Sequence, residues 1–265
     1  MLSFAFVSDE ITSDFSDAIR HGLSWGVTRY ELRMLPTGRV PHIAATDFKA
    51  VQRAMKEHGI LITALSPGSF KLAPEDREGI AAQLRETLPP TLDLALEIGA
   101  PLVIVFGFMR SGKPDEHARA VDAMRRAADL ASDAGIVLAV ENEPGYLCDS
   151  GSNTAAFIDA VASPFLKANW DPANAVGTGE RPWPEGYEAL KHHIVNIHAK
   201  DTAEGSLVRC VPIGEGVVDW RGQLRAANDD GIVEHISIET HCLPLLEMSR
   251  KNLEVLRGYL GGVME

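Results

Sequence analysis

Short apolar runs alternate along the chain with longer amphipathic segments. Runs of four to six residues rich in Val, Ile and Leu are typical of buried parallel strands, whereas apolar residues three and four positions apart are typical of helices. The predicted strands are 3–8, 28–32, 60–65, 102–106, 137–141, 166–170, 195–198 and 235–239. The predicted helices are 15–25, 45–58, 74–98, 115–134, 153–162, 185–192, 220–228 and 245–259.

The ends of several predicted helices carry recognisable signals. Asp14 and Ser152 precede helical runs as N-cap candidates, and glycines stand where four helices should stop. These glycines are Gly59, Gly99, Gly135 and Gly231. Eightfold repetition of strand and helix predicts parallel strands joined by crossover helices. We therefore expect one domain over 1–265 with the α/β fold of a (β/α)8 TIM barrel. A doubly wound open sheet is the alternative.

Side chains that can bind metal follow four successive apolar runs, where each predicted strand ends. Glu141, Asp171, His198 and Glu239 are separated by 30, 27 and 41 positions, about one strand-plus-helix unit each. The chemistry of a TIM barrel lies at the carboxyl ends of its strands, so we expect the four to meet at one rim. Three carboxylates and one imidazole suit a divalent metal.

Each of these residues also has an ordinary structural interpretation. Glu141 can cap a helix or pair with an arginine, Asp171 precedes Pro172 as in many turns, and a lone histidine is more often a structural hydrogen-bonding group. Their shared placement favours the metal site, because independent structural roles do not explain it. Glu143 is a rival ligand on the same side of an extended chain. Pro144 indicates that the strand has ended, which favours Glu141.

The excess of acidic over basic residues limits the kinds of partner that the protein is expected to bind. The 25 Lys and Arg are outnumbered by 37 Asp and Glu, so the basic face of a nucleic-acid binder is not expected. No apolar stretch approaches the roughly 18 residues of a membrane span, and the acidic start of the chain does not resemble a signal peptide. The cysteines, Cys148, Cys210 and Cys242, share no CxxC spacing and indicate reduced thiols. We expect a cytoplasmic protein with a small-molecule substrate, no nucleic-acid or membrane partner, and a homodimer or homotetramer as candidate assemblies.

Five segments of the sequence resemble the sugar phosphate isomerase/epimerase family, which has the xylose isomerase-like TIM barrel. They are LAVENEPG at 138–145, WDPAN at 170–174, IHAKD at 197–201, PIGEG at 212–216 and IET at 238–240. The family includes ketose 3-epimerases, inosose dehydratases, dehydroshikimate dehydratases and endonuclease IV-type enzymes. The resemblance spans nearly the whole chain, and it is specific for the superfamily rather than for one reaction.

The resemblance implies roles for particular residues. It implies that the metal ligands are Glu141, Asp171, His198 and Glu239. It further implies that Glu141 and Glu239 form the acid/base pair, and that Arg209 matches the substrate-binding arginine of the ketose epimerases. One divalent ion is expected, Mn²⁺ first, with Mg²⁺, Co²⁺ and Zn²⁺ as alternatives.

Departures from the family pattern are equally informative. The DNA-repair branch binds three zinc ions through additional histidines. Near one of these positions the chain has Pro67, and three residues after Asp171 it has Asn174, where that branch and the ketose epimerases place histidine. A trinuclear site is therefore not expected, in agreement with the acidic charge. Asn174 also departs from a free-ketose epimerase in the narrow sense.

The chemistry expected of this site is proton transfer beside a carbonyl. A divalent metal polarises the carbonyl and makes the adjacent C–H more acidic, and two carboxylates on opposite walls can remove and return a proton. We expect an isomerase or epimerase of a sugar or polyol-derived substrate, acting through a metal-stabilised enediolate. A dehydratase that expels a β-hydroxyl is the alternative, and a non-catalytic sugar-binding barrel is the third interpretation.

Other charged residues are candidates for contact with the substrate. They are Arg209, Lys200, Glu31, Arg33 and His241. Lys200 can bind an anionic oxygen or protonate a leaving group, although a salt bridge with Asp201 or Glu215 is the alternative. Glu31 and Arg33 follow the second strand into the pocket or form a salt bridge within the barrel.

Overall fold

Eight parallel strands close into a barrel within residues 2–205 and 209–262, the part of the chain that the computed structural model describes. They are β1 (Ser3–Val7), β2 (Arg29–Leu32), β3 (Leu61–Leu65), β4 (Leu102–Phe106), β5 (Val137–Glu141), β6 (Leu166–Trp170), β7 (Ile194–Ala199) and β8 (His235–Ile238). Because β1 pairs in parallel with both β2 and β8, the sheet has no edge strand. The predicted TIM barrel is confirmed, and each strand boundary lies within one residue of its predicted position.

Helices cover the outside of the barrel and return the chain to its amino-terminal end after each strand. They are α1 (Phe15–Ser24), α2 (Ala45–His58), α3 (Arg77–Ala82), α4 (Leu88–Ile98), α5 (Glu116–Ala134), α6 (Gly151–Val161), α7 (Tyr187–Leu190), α8 (Trp220–Asp230) and α9 (Leu245–Gly261). The large hydrophobic core lies between these helices and the strands. A smaller cluster of Ala64, Leu102, Ile104 and Ala139 fills the barrel interior.

Two predicted helices differ from those observed. The helix predicted over 74–98 is α3 and α4 joined by a π-helical turn, Gln83–Thr87. Pro89 and Pro90 have no N–H and their rings crowd the preceding turn, so regular α-helical bonding cannot continue there. The helix predicted over 185–192 is a π-helical turn, Pro182–Gly186, followed by α7, which ends early because His193 N–H bonds to the carbonyl of Leu190 and turns the chain into β7.

The predicted helix ends are mostly confirmed. Asp14 accepts the N–H of Asp17 as an N-cap, and the four predicted glycines end α2, α4, α5 and α8 with positive φ. The N-cap of α6 is Ser150 and not Ser152. Ser150 is in extended conformation and accepts the N–H of Asn153, whereas Ser152 lies inside the first turn and bonds to Glu180.

The loops after the strands carry two small antiparallel hairpins. The first pairs Met34–Leu35 with Gly38–Arg39 after β2, and the second pairs Asp201–Thr202 with Cys210–Val211 after β7. Both stand at the carboxyl-terminal rim, where a TIM barrel carries its chemistry. In the described ranges, no helix is both long and apolar enough to cross a membrane.

Candidate metal centre and active site

The carboxyl ends of four neighbouring strands bring Glu141, Asp171, His198 and Glu239 together. Glu141 is the last residue of β5, His198 lies near the end of β7, and the other two directly follow β6 and β8. One donor atom from each residue lies within 4.8 Å of the donor atoms of the other three. All four side chains are buried. These four residues are far apart in the sequence, and they meet because the parallel strands that carry them end at one rim.

The imidazole of His198 is held with one nitrogen facing this centre. Its Nε2 lies 2.8 Å from Oε2 of Glu31, which favours a proton on Nε2. Nδ1 lies 3.6 Å from a carboxylate oxygen of Glu141 and equally far from one of Glu239. Within the described residues, this buried nitrogen has no hydrogen-bond partner. In the neutral ring, Nδ1 would present a buried lone pair between two carboxylates, an arrangement that fits a bound divalent cation.

The electrostatics of the centre also favour a cation. Burial alone would lower the pKa of His198, but the carboxylates of Glu31, Glu141 and Glu239 raise it well above 6.5. Without a metal, this shift favours a second proton on the ring, at Nδ1, which faces the two carboxylates. A metal ion would take the place of that proton, because only neutral imidazole can donate its lone pair. The donor set and the unpartnered nitrogen thus both fit the group that the sequence predicts.

Glu31 lies beneath the metal centre, fully buried, and not among the described residues that line the cavity. Burial tends to raise its pKa, but His198 and Asn196 lower it overall. Asn196 Nδ2 donates to Oε1 of Glu31 at 2.7 Å and to Asn169 Oδ1 at 2.9 Å. Asn169 in turn donates to Glu141 at 3.2 Å. A polar network therefore orients the ligands from inside the barrel.

Asparagines that the sequence analysis did not assign to the site hold two ligands. Asn142 exchanges two hydrogen bonds of 2.8 Å with the backbone of Asp171. Asn174 donates to the carbonyl of Asn142 at 2.9 Å and to Oε1 of Glu141 at 3.4 Å. Asn174, which stands where the family pattern has histidine, thus helps to hold Glu141 in place. The sequence could have predicted Asn169 and Asn196 as part of the site, because each precedes a candidate ligand by two positions and shares its face of the strand.

Lys200 enters the centre from the end of β7. Its Nζ lies 2.8 Å from Oδ2 of Asp171 and 3.0 Å from Oε2 of Glu239. Burial would lower the pKa of Lys200, but the carboxylates around it raise it well above its ordinary value. The salt bridges of Lys200 with Asp201 or Glu215 that the sequence left open are not formed. Asp201 instead accepts backbone N–H groups, and Glu215 pairs with Lys251.

Glu239 is also held from its other oxygen. Oε1 lies 2.8 Å from Nη1 of Arg33 and 3.2 Å from Nε2 of His241. Burial would raise the pKa of Glu239, yet Lys200, His241 and His198 hold it well below the usual range. Arg33 also pairs with Asp9 at 2.8 Å and with Glu10. Glu10, Glu239 and His241 form a second possible ligand group, but the Arg33 guanidinium already bridges its two carboxylates.

A cavity of about 400 Å³ opens above the centre, within the usual range for small-ligand sites. Its described lining is Asp9, Arg33, Met34, Arg39, Ser66, Lys71, Phe106, Glu141, Glu143, Asn174, Lys200, Glu239 and His241. Arg33, Lys200 and His241 therefore lie where a substrate would contact them. Arg209 is exposed on the second hairpin and is not part of that described lining.

The rival ligand Glu143 lies in the same cavity but is not one of the four converging residues. Its carboxylate lies 2.7 Å from Nζ of Lys71. That ammonium is also 3.8 Å from the ring centre of Phe106. Burial raises the pKa of Glu143 although Lys71 opposes the shift. Lys71 gave no signal in the sequence, because it stands in a loop without a recognisable motif.

Comparison with known families identifies the chain. A family model described as xylose isomerase-like TIM barrel matches residues 20–259. The chain belongs to this family. Among curated relatives, L-ribulose-5-phosphate 3-epimerase UlaE of Salmonella typhimurium is 26% identical over 222 residues, which cover 83% of this chain and 71% of the relative. The resemblance found in the sequence motifs is confirmed.

Solved structures with low sequence identity share the fold closely. The probable 3-DHS dehydratase AsbF of Bacillus anthracis aligns with a TM-score of 0.81 and 17% identity over 97% of this chain and 99% of its own. The IOLI protein, which was solved with a bound zinc atom, aligns with a TM-score of 0.78 and 15% identity over 99% and 96% of the two chains. At these identities the likeness shows a common fold.

Proposed function

We propose that the protein is a divalent-metal-dependent epimerase or isomerase of a sugar or polyol-derived substrate. The observation that carries the proposal is the convergence of Glu141, Asp171, His198 and Glu239 around an unpartnered buried Nδ1. These four residues would hold the metal, with Mn²⁺ as the first candidate. The sugar epimerase among the curated relatives and the zinc-bound barrel among the solved structures support this assignment.

The bound metal would polarise the substrate carbonyl and make the neighbouring C–H more acidic. Glu141 and Glu239 reach the centre from different strands, and both line the cavity. In the proposed mechanism one carboxylate removes the proton from one face of the substrate and the other returns a proton to the opposite face. Cations around Glu239 favour its ionised form, which a proton acceptor must have, and the same charges weaken it as a base.

The remaining residues position these groups. Glu31 and the asparagine network orient His198 and Glu141 rather than contacting the substrate. Arg33 and His241 fix one oxygen of Glu239, and their exposed edges can donate to substrate hydroxyls. Arg209 stays a candidate for substrate contact on the rim, although the structure places it outside the described lining.

A dehydratase is the second candidate function, and Lys200 is the observation that favours it. Its ammonium faces both Asp171 and Glu239 in the cavity, where it can donate a proton to a departing hydroxyl. AsbF, a probable 3-DHS dehydratase, has the same fold. Dehydration and epimerisation begin with the same proton removal, so the two functions need the same carboxylates.

The experiment that tests the proposal measures metal content and hydrogen exchange together. Purified protein should contain about one divalent metal per chain, and Glu239→Gln and His198→Ala should lose it or bind it weakly. Turnover of L-ribulose 5-phosphate in deuterated water should place deuterium on the substrate carbon, with kcat/KM lowered roughly 10²–10⁴-fold in Glu239→Gln.

The exposed residues Glu247 and His192 provide matched controls as Glu247→Gln and His192→Ala. Both controls should keep the metal and the activity. Absence of metal after loading with Mn²⁺ would contradict the metal centre. Product formed without deuterium would contradict proton transfer, and loss of water from 3-dehydroshikimate would favour the dehydratase.

A further inference from the structure

Among the described residues, five cationic side chains line the cavity, namely Arg33, Arg39, Lys71, Lys200 and His241. Four of them lie within 4 Å of a carboxylate oxygen. In the described part of the chain, Arg39 has no such partner, and its one hydrogen bond runs from Nη1 to the carbonyl of Ser66 at 3.2 Å. A guanidinium has five N–H donors, so most of the donor capacity of Arg39 is not used by the described residues.

The position of Arg39 is fixed by the backbone around it. Arg39 pairs with Met34 in the hairpin after β2. Its guanidinium packs over Gly68 in the loop after β3, where an added Cβ would stand 3.1 Å from Nη1. A side chain at position 68 would crowd the guanidinium, and the positive φ of Gly68 also favours glycine there. The guanidinium is therefore held between two loops instead of extending into solvent.

Arg39 lies on a different wall of the cavity from the candidate metal ligands. The metal ligands come from β5 to β8, whereas Arg39 and Ser66 belong to the loops that follow β2 and β3. Burial and the charge of Arg33 lower the pKa of Arg39, although the carboxylates of Asp9 and Glu239 oppose the shift. A half-buried cation in this setting is stabilised when an anion reaches it.

We infer that Arg39 binds an anionic group, phosphate or carboxylate, that the substrate carries at the end remote from its reacting carbonyl. This inference rests on the proposed function, because it assumes that the carbonyl lies at the metal centre. Guanidinium binds both anions through paired, charge-assisted hydrogen bonds. The substrate class is then an acidic or phosphorylated sugar derivative, and neutral sugars bind poorly.

The kinetic test compares substrates that differ only in the anion. Arg39→Met removes the charge and keeps a long apolar stem, and Arg53→Met on the exposed face of α2 is the matched control. Arg39→Met should lower kcat/KM for L-ribulose 5-phosphate about 10–100-fold, mainly through KM. Its kcat/KM for L-ribulose should stay within about twofold of the wild type. Equal effects on both sugars would overturn the inference.

A binding measurement separates the two anions and does not depend on turnover. Calorimetry should show inorganic phosphate binding to the metal-loaded wild type about 10–100-fold more tightly than to Arg39→Met if the substrate anion is a phosphate. If it is a carboxylate, 3-dehydroshikimate should show the Arg39-dependent binding instead. If no substrate turns over, the proposed function fails. The calorimetric comparison of wild type and Arg39→Met still decides whether Arg39 binds an anion. Binding of both compounds that is independent of Arg39 would refute it.

Discussion

At the scale of single residues, three of the four candidate metal ligands are held by a second group behind them. His198 is held by Glu31, Glu141 by Asn169 and Asn174, and Glu239 by Arg33. Such partners fix the direction of a lone pair and adjust its basicity. Glu31 lies 2.8 Å from Nε2 of His198, so the other ring nitrogen, Nδ1, faces the centre.

Glu31→Gln tests this role. The amide keeps the shape of the side chain and can still accept from His198, but it removes the negative charge that raises the basicity of the ring. We expect metal affinity to fall roughly 10–100-fold with little loss of folding. Titration of metal-free protein with Mn²⁺ in a calorimeter measures the change. Glu234→Gln at the other end of the barrel, where the carboxylate is 87% exposed, should behave as the wild type.

At the scale of elements, the loops after the strands decide what reaches the cavity. The loop after β7 is folded around Asp201, whose two oxygens accept the N–H groups of Thr202, Gly214, Gly216 and Val218. Gly216 lies so close that an added Cβ would stand 2.1 Å from Oδ1 of Asp201. The backbone of the Gly214-Glu-Gly216 loop therefore wraps around the carboxylate of Asp201, and Gly216 has no side chain to prevent this close contact.

Asp201→Asn should destabilise this loop without touching the metal ligands. An asparagine has one acceptor oxygen and places an NH₂ group against backbone donors that need an acceptor. We expect the free energy of unfolding to fall by about 1–3 kcal/mol. Urea unfolding followed by circular dichroism measures it. Asp229→Asn on the exposed surface of α8 is the control, and an unchanged midpoint in Asp201→Asn would contradict the proposed wrap.

At the scale of the whole molecule, the two ends of the barrel differ in chemistry. The carboxyl-terminal rim holds the charged cavity, whereas a second cavity of about 440 Å³ at the amino-terminal end is lined mainly by apolar residues, with Arg29, Glu234 and His235. In TIM barrels the amino-terminal end contributes to stability and the carboxyl-terminal end to catalysis. Changes at His235 should therefore affect folding and leave the site alone.

His235 predicts a pH dependence of stability. Burial lowers its pKa below 6.5, with Arg29 adding to the shift and Glu31 and Glu234 opposing it. Below pH 6.5 the unfolded chain then binds a proton more readily than the folded protein, so folding loses free energy as pH falls through the folded pKa.

His235→Gln removes the titrating side chain and with it this loss of folding free energy at low pH. Relative to the wild type, the variant should gain unfolding free energy as pH falls below 6.5, and the difference should be constant above it. Urea unfolding of metal-free protein across this range measures the difference. Metal affinity should match the wild type. A difference that does not vary with pH would contradict the prediction.

The sequence by itself determined the barrel and the four converging residues. Periodicity separates strands from helices, and parallel strands must end at one rim, so Glu141, Asp171, His198 and Glu239 could be placed together from chain position alone. Cytoplasmic location and the assembly stay predictions from the sequence.

Only the tertiary structure decided how these residues are supported. Glu31 lies under His198 rather than in the cavity, Lys200 pairs with Asp171 and Glu239, and Arg39 stands without a carboxylate partner in the described residues. Each of these contacts joins residues from different loops or strands. Their distances depend on how the barrel closes and how the loops fold back, and hydrophobic periodicity along the chain carries no information about either.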